Sequence, residues 1–281
     1  MSAGLTPRWT PGRVLVHVFL VLFTFATVYP ILQILTVSLR PTDQLFSTSL
    51  AIVPAGASLE AYRVMLFEKK FLLWLWNSFL VSAAVTAFGV VLASTAAYAL
   101  TRFSFRGRRE VLSLFMLTQL FPATMTMLPL YVLLKALHLL DQFAGLALAY
   151  TATALPFCVW TMRGYYQTIP VELEQAALLD GCSPWQAFVR ITLPLAAPAL
   201  SITALFSFMA AWSEFMVARI VVSKQGLYTL PLGLESLAGQ FQTEWANYAA
   251  GSLMVCVPVM VLFVVLNRAI VSGLSLGSVK G

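Results

Sequence analysis

The longest amphipathic, charge-bearing passage between two apolar spans gathers several side chains able to act as acids, nucleophiles or hydrogen-bonding anchors. Glu172, Glu174 and Asp180, then Cys182, Ser183 and Arg190, fall between Pro170 and Pro198. Their spacing suits no catalytic constellation. The chain has no GxxxxGK[ST] phosphate loop, no GxSxG or HExxH motif and no paired-Asp motif. Cys158, Cys182 and Cys256 lack paired spacing, and His17 and His138 stand apart from carboxylates, so disulfide and metal chemistry are not indicated. The stretch reads as mechanical instead. Pro170 at a first helical position, with Glu172 and Glu174 in the opening turn, suits a helix start, because acidic groups there complement the positive end of the helix dipole. Gly181 breaks the backbone after Asp180. Ser183-Pro184-Trp185-Gln186 restarts the helix as N-cap, N1 proline and capping-box glutamine. Trp185, Phe188 and Val189 then share one face, and Pro194 and Pro198 end the second helix. The result is a rigid two-helix knob, and a knob requires a socket. An amphipathic loop lying flat on a membrane surface is the plainer alternative.

The elements that must carry this knob are apolar. Of 281 residues, 60% are hydrophobic and 10% charged, against about 25% charged in a soluble domain. The fold class expected is all-α and polytopic, an integral membrane protein in contact with lipid. The net charge of +6 is explained by basic loops on one side of the membrane, and no basic stripe interleaved with aromatics points to nucleic acid.

Six spans are expected, at 14–37, 77–100, 111–134, 143–162, 199–222 and 248–270, each near the length that crosses a hydrocarbon core. The first is too long for the core of a signal peptide and is kept as a span. Residues 1–13 and 271–281 form the termini, and 163–198 is the loop bearing the knob. Arg102, Arg106, Arg108 and Arg109 crowd a short loop, which places that side, the knob and both termini in the cytoplasm. In the second span Gly89, Ala93 and Ala97 recur every fourth residue, either for close approach of another helix or as lipid-facing filler. The third span is broken by Pro122 and Pro129. Its Gln119 and Thr124 are candidates for the wall of a polar pathway, or Thr124 bonds back to its own helix. Glu214 lies about 22 Å along the fifth span; it marks a pathway or a buried partner, or else reaches interfacial water. Residues 40–74 and 223–247 are expected as external loops.

The stretch Glu174–Pro198 resembles the EAA loop of ABC importer membrane subunits, of the form E-A-A-x-x-D-G followed by F, I and L-P. Ala176, Ala177, Asp180, Gly181, Phe188, Ile191, Leu193 and Pro194 match; Gln175 stands where the first Glu usually sits, with Glu174 before it. Over nearly the whole chain the sequence resembles the MalG-like group of carbohydrate permeases, the smaller membrane subunit of maltose and maltodextrin importers. That resemblance implies a type I ABC importer permease in the bacterial cytoplasmic membrane. Its implied partners are a MalF-like second permease subunit, a dimer of MalK-like ATP-binding subunits and an extracytoplasmic sugar-binding protein. No cofactor is implied on this chain; ATP and magnesium would sit on partner subunits.

By the same resemblance Glu174, Gln175, Ala176, Ala177, Asp180, Gly181, Trp185, Phe188 and Pro194 belong to the ATPase-coupling loop, with Asp180 and Gly181 fixing the turn and Trp185 and Phe188 filling the ATPase cleft. The segment from Gly273 is similar to the family's GLTxGxVKG, apart from Ser275 and Leu276, and puts Gly277, Ser278, Val279 and Lys280 at the interface between ATPase subunits. Trp212 and Glu214 match the family's W-[NS]-E segment and join the pathway candidates. Tyr228, Thr229, Leu230 and Pro231 correspond to an external segment that contacts the binding protein.

Rival classes fit less well. A secondary transporter would show paired repeats and broken helices in matching halves, and no internal repeat is visible. A membrane enzyme would need clustered acids, a histidine or a nucleophile pair within its spans. Among importers, trehalose, glycerol phosphate or another oligosaccharide remains an alternative solute.

Overall fold

A computed structural model describes residues 11–41, 51–238 and 243–277, with side chains as far as Asn267 and excepting that of Ala123. The described residues form helices α1 (Pro11–Ser38), α2 (Glu60–Phe67), α3 (Phe71–Arg102), α4 (Arg108–Leu120), α5 (Ala123–Ala136), α6 (Phe143–Tyr166) and α7 (Val171–Leu179). There follow α8 (Pro184–Ala187), a π turn (Phe188–Thr192), α9 (Leu193–Leu195), α10 (Ala197–Trp212), α11 (Met216–Val221), α12 (Leu230–Glu235) and α13 (Trp245–Gly277). Four helices, α1, α3, α6 and α13 (over Trp245–Asn267), are long and apolar enough to cross a membrane, with mean hydropathy from 1.5 to 2.6. Two further crossings arise if the bent pairs α4–α5 and Pro184–Leu195 with α10 each count as one.

The chain divides into two compact units. In the first, residues 1–69 and 237–254, the end of α1 is tied down by polar contacts. The Ser38 hydroxyl lies 2.8 Å from that of Tyr62, and Thr36 donates to the Ile52 carbonyl at 2.8 Å. Lys69 pairs with Glu244 at 2.7 Å. Helix α2, inside a region expected to be loop, buries Ala61 and Met65; their i,i+4 spacing is the signal a scan for long apolar runs passes over.

The second unit, residues 70–236 with 255 onward, is a bundle built on α3, α6 and α10. Two apolar clusters fix their directions. At one end Val81 and Val85 of α3 meet Leu146, Ala149 and Tyr150 of α6 and Ala211 of α10. At the other, Ala93, Ala97 and Leu100 meet Ala154, Cys158 and Met162, together with Ala196 and Ala199 at the start of α10. Helices α3 and α6 therefore run parallel, and α10 runs against both. Gly89, Ala93 and Ala97 are all buried. A β-carbon on Gly89 would sit 3.1 Å from Ser207 Oγ, so these small residues serve close helix approach rather than lipid contact.

Several boundaries differ from the sequence reading. The second span begins at Phe71 and runs to Arg102. The third becomes two helices bent by 111°, because Pro122 cannot continue the hydrogen-bond ladder and turns Phe121 extended. The fifth stops at Trp212 and restarts at Met216. The last begins at Trp245 and continues to Gly277, past Pro258.

Candidate functional site

The knob between α6 and α10 is built by local capping. Pro170 is the N-cap of α7 rather than its first residue, with ψ 130°. At the other end Gly181, φ +88°, takes the left-handed conformation that ends a helix. Its amide bonds to the Leu178 carbonyl at 3.1 Å, and that of Cys182 to the Ala177 carbonyl at 2.9 Å, the paired bonds of a Schellman motif. The capping box then forms as the sequence implies. Gln186 N donates to Ser183 Oγ at 3.2 Å and Ser183 N to Gln186 Oε1 at 2.8 Å, with Pro184 at the first turn.

The second helix departs from expectation beyond Ala187. Pro194 does not end it; a π turn over Phe188–Thr192 precedes α9, with the Leu193 amide reaching back to the Phe188 carbonyl. The break comes at Ala196, where the chain bends by 78° into α10. Pro198 lies in the first turn of α10, where its missing N–H costs nothing.

Inside this knob Glu174 is nearly sealed, at 5% exposure. Its Oε1 accepts from Arg102 Nε at 2.8 Å and from the Thr192 hydroxyl at 2.8 Å. Its Oε2 accepts from the Tyr98 hydroxyl at 2.9 Å. Arg102 also donates to the Ile169 carbonyl at 2.9 Å. One carboxylate therefore joins the end of α3, the entry to α7 and the π turn. Gln175, at the motif's acidic position, is exposed, as are Ala176, Asp180 and Gly181, while Ala177 is buried and Pro194 exposed.

Phe188 is a correction. Its ring is 2% exposed and packs 4.5 Å from Tyr98, so it fills the chain's own interior and is not free to enter a partner's cleft. The projecting apolar groups are Leu179, 89% exposed, and Trp185, 64% exposed.

The other expected residues are scattered. Gln119 and Thr124 are exposed on either side of the α4–α5 break. Trp212 is largely buried, donates to the Val255 carbonyl at 3.2 Å and stacks on Phe208, and it forms part of the wall of an open cleft with Trp76, Phe79 and Pro258. Glu214 accepts from the amides of Val217 at 2.9 and 3.1 Å and Ala218 at 3.2 Å. It caps α11, which explains both the interruption of the fifth span and a carboxylate at that depth.

The 228–231 segment also faces inward. Asn77 Nδ2 donates to the carbonyls of Gly226 and Tyr228, each at 3.0 Å, and the Leu230 amide donates to Ser78 Oγ at 2.7 Å. Thr229 and Leu230 are buried, so these two are not free to meet a partner, while Tyr228 and Pro231 are half-buried; the stretch docks on α3. Gly277 ends α13, and Ser278, Val279 and Lys280 lie outside the described residues.

Sequence reasoning missed Tyr98, Arg102 and Thr192 as site residues. Arg102 carries a signal, as one of four clustered arginines, but clustering by itself marks orientation and does not name Glu174 or the Ile169 carbonyl as its partners.

The described residues hold no group of three or more His, Cys, Asp or Glu placed to bind a metal. What the arrangement offers is a stiff protrusion fixed to a helix bundle. The family profile described as binding-protein-dependent transport system inner membrane component matches residues 87–272. The diacetylchitobiose uptake system permease protein DasC of Streptomyces coelicolor is 34% identical over 96% of this chain and 98% of its own. The maltose/maltodextrin transport system permease protein MalG of Escherichia coli K12 is 34% identical over 99% of this chain and 100% of its own. The sulfoquinovosyl glycerol transport system permease protein SmoH of Agrobacterium fabrum is 33% identical over 90% and 89%. A crystal structure of a bacterial ABC transporter involved in import of the acidic polysaccharide alginate contains a chain of the same fold. Its TM-score is 0.82 at 22% identity, covering 94% of this chain and 99% of that one.

Proposed function

The chain belongs to the family of binding-protein-dependent transport system inner membrane components, and from that premise we propose that it is a membrane-spanning permease subunit of an ATP-driven sugar importer. It is a multi-pass inner-membrane component with the type I ABC importer permease fold. With a second permease subunit it forms the translocation pathway, and an extracytoplasmic binding protein delivers the solute. A pair of ATPase subunits holds ATP and magnesium; this chain carries no catalysis of its own. The knob and both termini face the cytoplasm.

The observation that carries the reading is the projecting α7–α8 knob, stiffened by two caps and clamped to α3, with Leu179 and Trp185 exposed at its tip. Closure of the ATPase pair on ATP moves the knob as a solid body, and the bundle follows from inward-open to outward-open. The loaded binding protein favours the outward state by contacting the two states differently, as any population shift requires.

Maltose or maltodextrin is the solute we assign, supported by the full-length similarity to maltose/maltodextrin permeases. Another oligosaccharide is the second reading, favoured by the equal identity to the diacetylchitobiose permease. Co-purification with the neighbouring subunits, followed by ATPase assays with binding protein loaded with each sugar, tests both. Stimulation by maltodextrin alone supports the first, stimulation by another sugar the second, and no stimulation by any sugar removes the importer reading.

A further inference from the structure

We propose that Glu174 is a positioning residue for transport: with Arg102, Tyr98 and Thr192 it forms a clamp that delivers the displacement of the α7–α8 knob into α3. This rests on the reading of the chain as an importer permease.

The covalent exits from the knob are a short turn at residues 167–170 on the α6 side and, on the α10 side, a π turn followed by a 78° bend at Ala196. Neither makes a straight strut. Helix α3 has no covalent neighbour in the knob, yet it is bonded to three parts of it. Arg102 reaches the α7 entry through the Ile169 carbonyl and α7 itself through Glu174. Tyr98 reaches Glu174 through its hydroxyl and the second helix through its ring against Phe188. The extra residue of the π turn brings Thr192 onto the same carboxylate.

Four donors or ring contacts thus converge on α3's last turns. The Arg102 and Glu174 side chains are only 12% and 7% exposed, so water does not soften the pair. Stability alone does not account for such an arrangement, because a buried ion pair is often no better than apolar packing of the same volume. Its distinctive property is directional: it fixes the angle and distance between two elements. The acid is also the one that faces inward. Gln175, at the motif position that would face a partner, carries no charge, while Glu174 is spent within the chain.

The test uses the complete transporter in liposomes, reading sugar imported per ATP hydrolysed, together with the distance between spin labels at Leu179 and Phe105 in nucleotide-free and ATP-bound states. In the wild type the label distance stays the same in both states while transport proceeds. Glu174→Gln lowers sugar imported per ATP at least tenfold and broadens the distance distribution; Arg102→Lys, which keeps the charge, retains most of the coupling. Should Glu174→Gln fail to accumulate in the membrane, Tyr98→Phe and Thr192→Val each remove one hydrogen bond and lower the ratio two- to fivefold. Unchanged import per ATP in these variants, or a wild-type label distance that shifts with nucleotide, overturns the clamp while leaving the importer reading intact. A wild-type complex that imports no sugar on ATP instead removes the importer reading.

Discussion

Trp185 and Phe188 stand three positions apart on one helical face, yet Trp185 is 64% exposed and Phe188 2% exposed. On the proposed coupling role of the knob, they should separate binding from stability. Phe188→Ala opens a cavity between Tyr98 and Tyr166 and is expected to cost about 3–5 kcal/mol, seen as a lower thermal midpoint of the purified chain in detergent. Trp185→Ala leaves that midpoint within error, since surface changes stay near ±0.5 kcal/mol. It weakens association with the ATPase subunits by about 2 kcal/mol, roughly 30-fold, if Trp185 is an interface anchor. Equal melting losses in both variants would sink the division of labour. Asp141 gives a second residue-level test. It accepts from the Ser223 amide and hydroxyl, each at 2.7 Å, and the Lys224 amide at 3.1 Å. The Ser223 hydroxyl, then the Ser223 amide, hold its carboxyl below the ordinary value of 3.8. A depressed folded pKa means the tether is complete above that ordinary value and is lost as pH falls below it through the folded pKa. Protection of the Ser223 and Lys224 amides from hydrogen exchange, relative to intrinsic rates, should persist above the ordinary carboxyl value of 3.8 and fade as pH falls below it. In Asp141→Asn that pH dependence disappears; its survival would show that another group holds the turn.

At the scale of elements, what was legible was local and what was not depended on distant partners. The capping box and the Gly181 turn follow from neighbours in sequence, so Ser183, Gln186 and Gly181 announce themselves. Glu174 does not, because its partners Arg102 and Tyr98 lie 72 and 76 residues away. Glu214 looked like a pathway acid because a break in a hydrophobic run is invisible until its carboxylate is seen capping α11. In sequence the segment after Gly226 resembles an external arm, because nothing local shows that Asn77 and Ser78, 149 and 152 residues before the groups they bond, hold it down. Helix α12 shows how firmly that segment is held. A β-carbon at Gly233 would run into the Trp74 ring. Gly233→Ala therefore forces α12 off α3 or Trp74 out of place. Overpacking of this kind costs about 1–3 kcal/mol, and helix propensity, which favours alanine by about 1 kcal/mol, only partly offsets it. The expected outcome is a lower midpoint and faster proteolysis after Lys224. A midpoint equal to or above wild type would mean α12 is not docked on α3.

At the scale of the molecule, chain direction within the bundle decides how the membrane is crossed. The last turns of α3 and α6 meet at one end, where Tyr98 and Tyr166 rings lie 6.1 Å apart, and Val81 and Val85 of α3 meet Leu146, Ala149 and Tyr150 near the start of α6 in the other cluster. Two parallel helices in succession require a return between them, and the only chain available is residues 103–142. The bent α4–α5 pair therefore supplies one net crossing despite its 111° angle, which length and composition alone leave undecided between a broken span and a re-entrant loop. Helix α10 then returns from the knob end to the end where Asp141 holds Ser223. It follows that Cys182 in the knob and Lys224 lie on opposite faces of the membrane. Cys158 is buried and Cys256 sits within an apolar stretch of α13, so neither interferes with a membrane-impermeant maleimide. In right-side-out vesicles the reagent should modify Lys224→Cys and spare Cys182; in inverted vesicles the preference should reverse. Labelling of both sites from one face would break the parallel–antiparallel path of α3, α6 and α10. Opposite faces with the sides exchanged would keep the fold but put the knob where no ATP is available, and the ATPase contact would have to be abandoned.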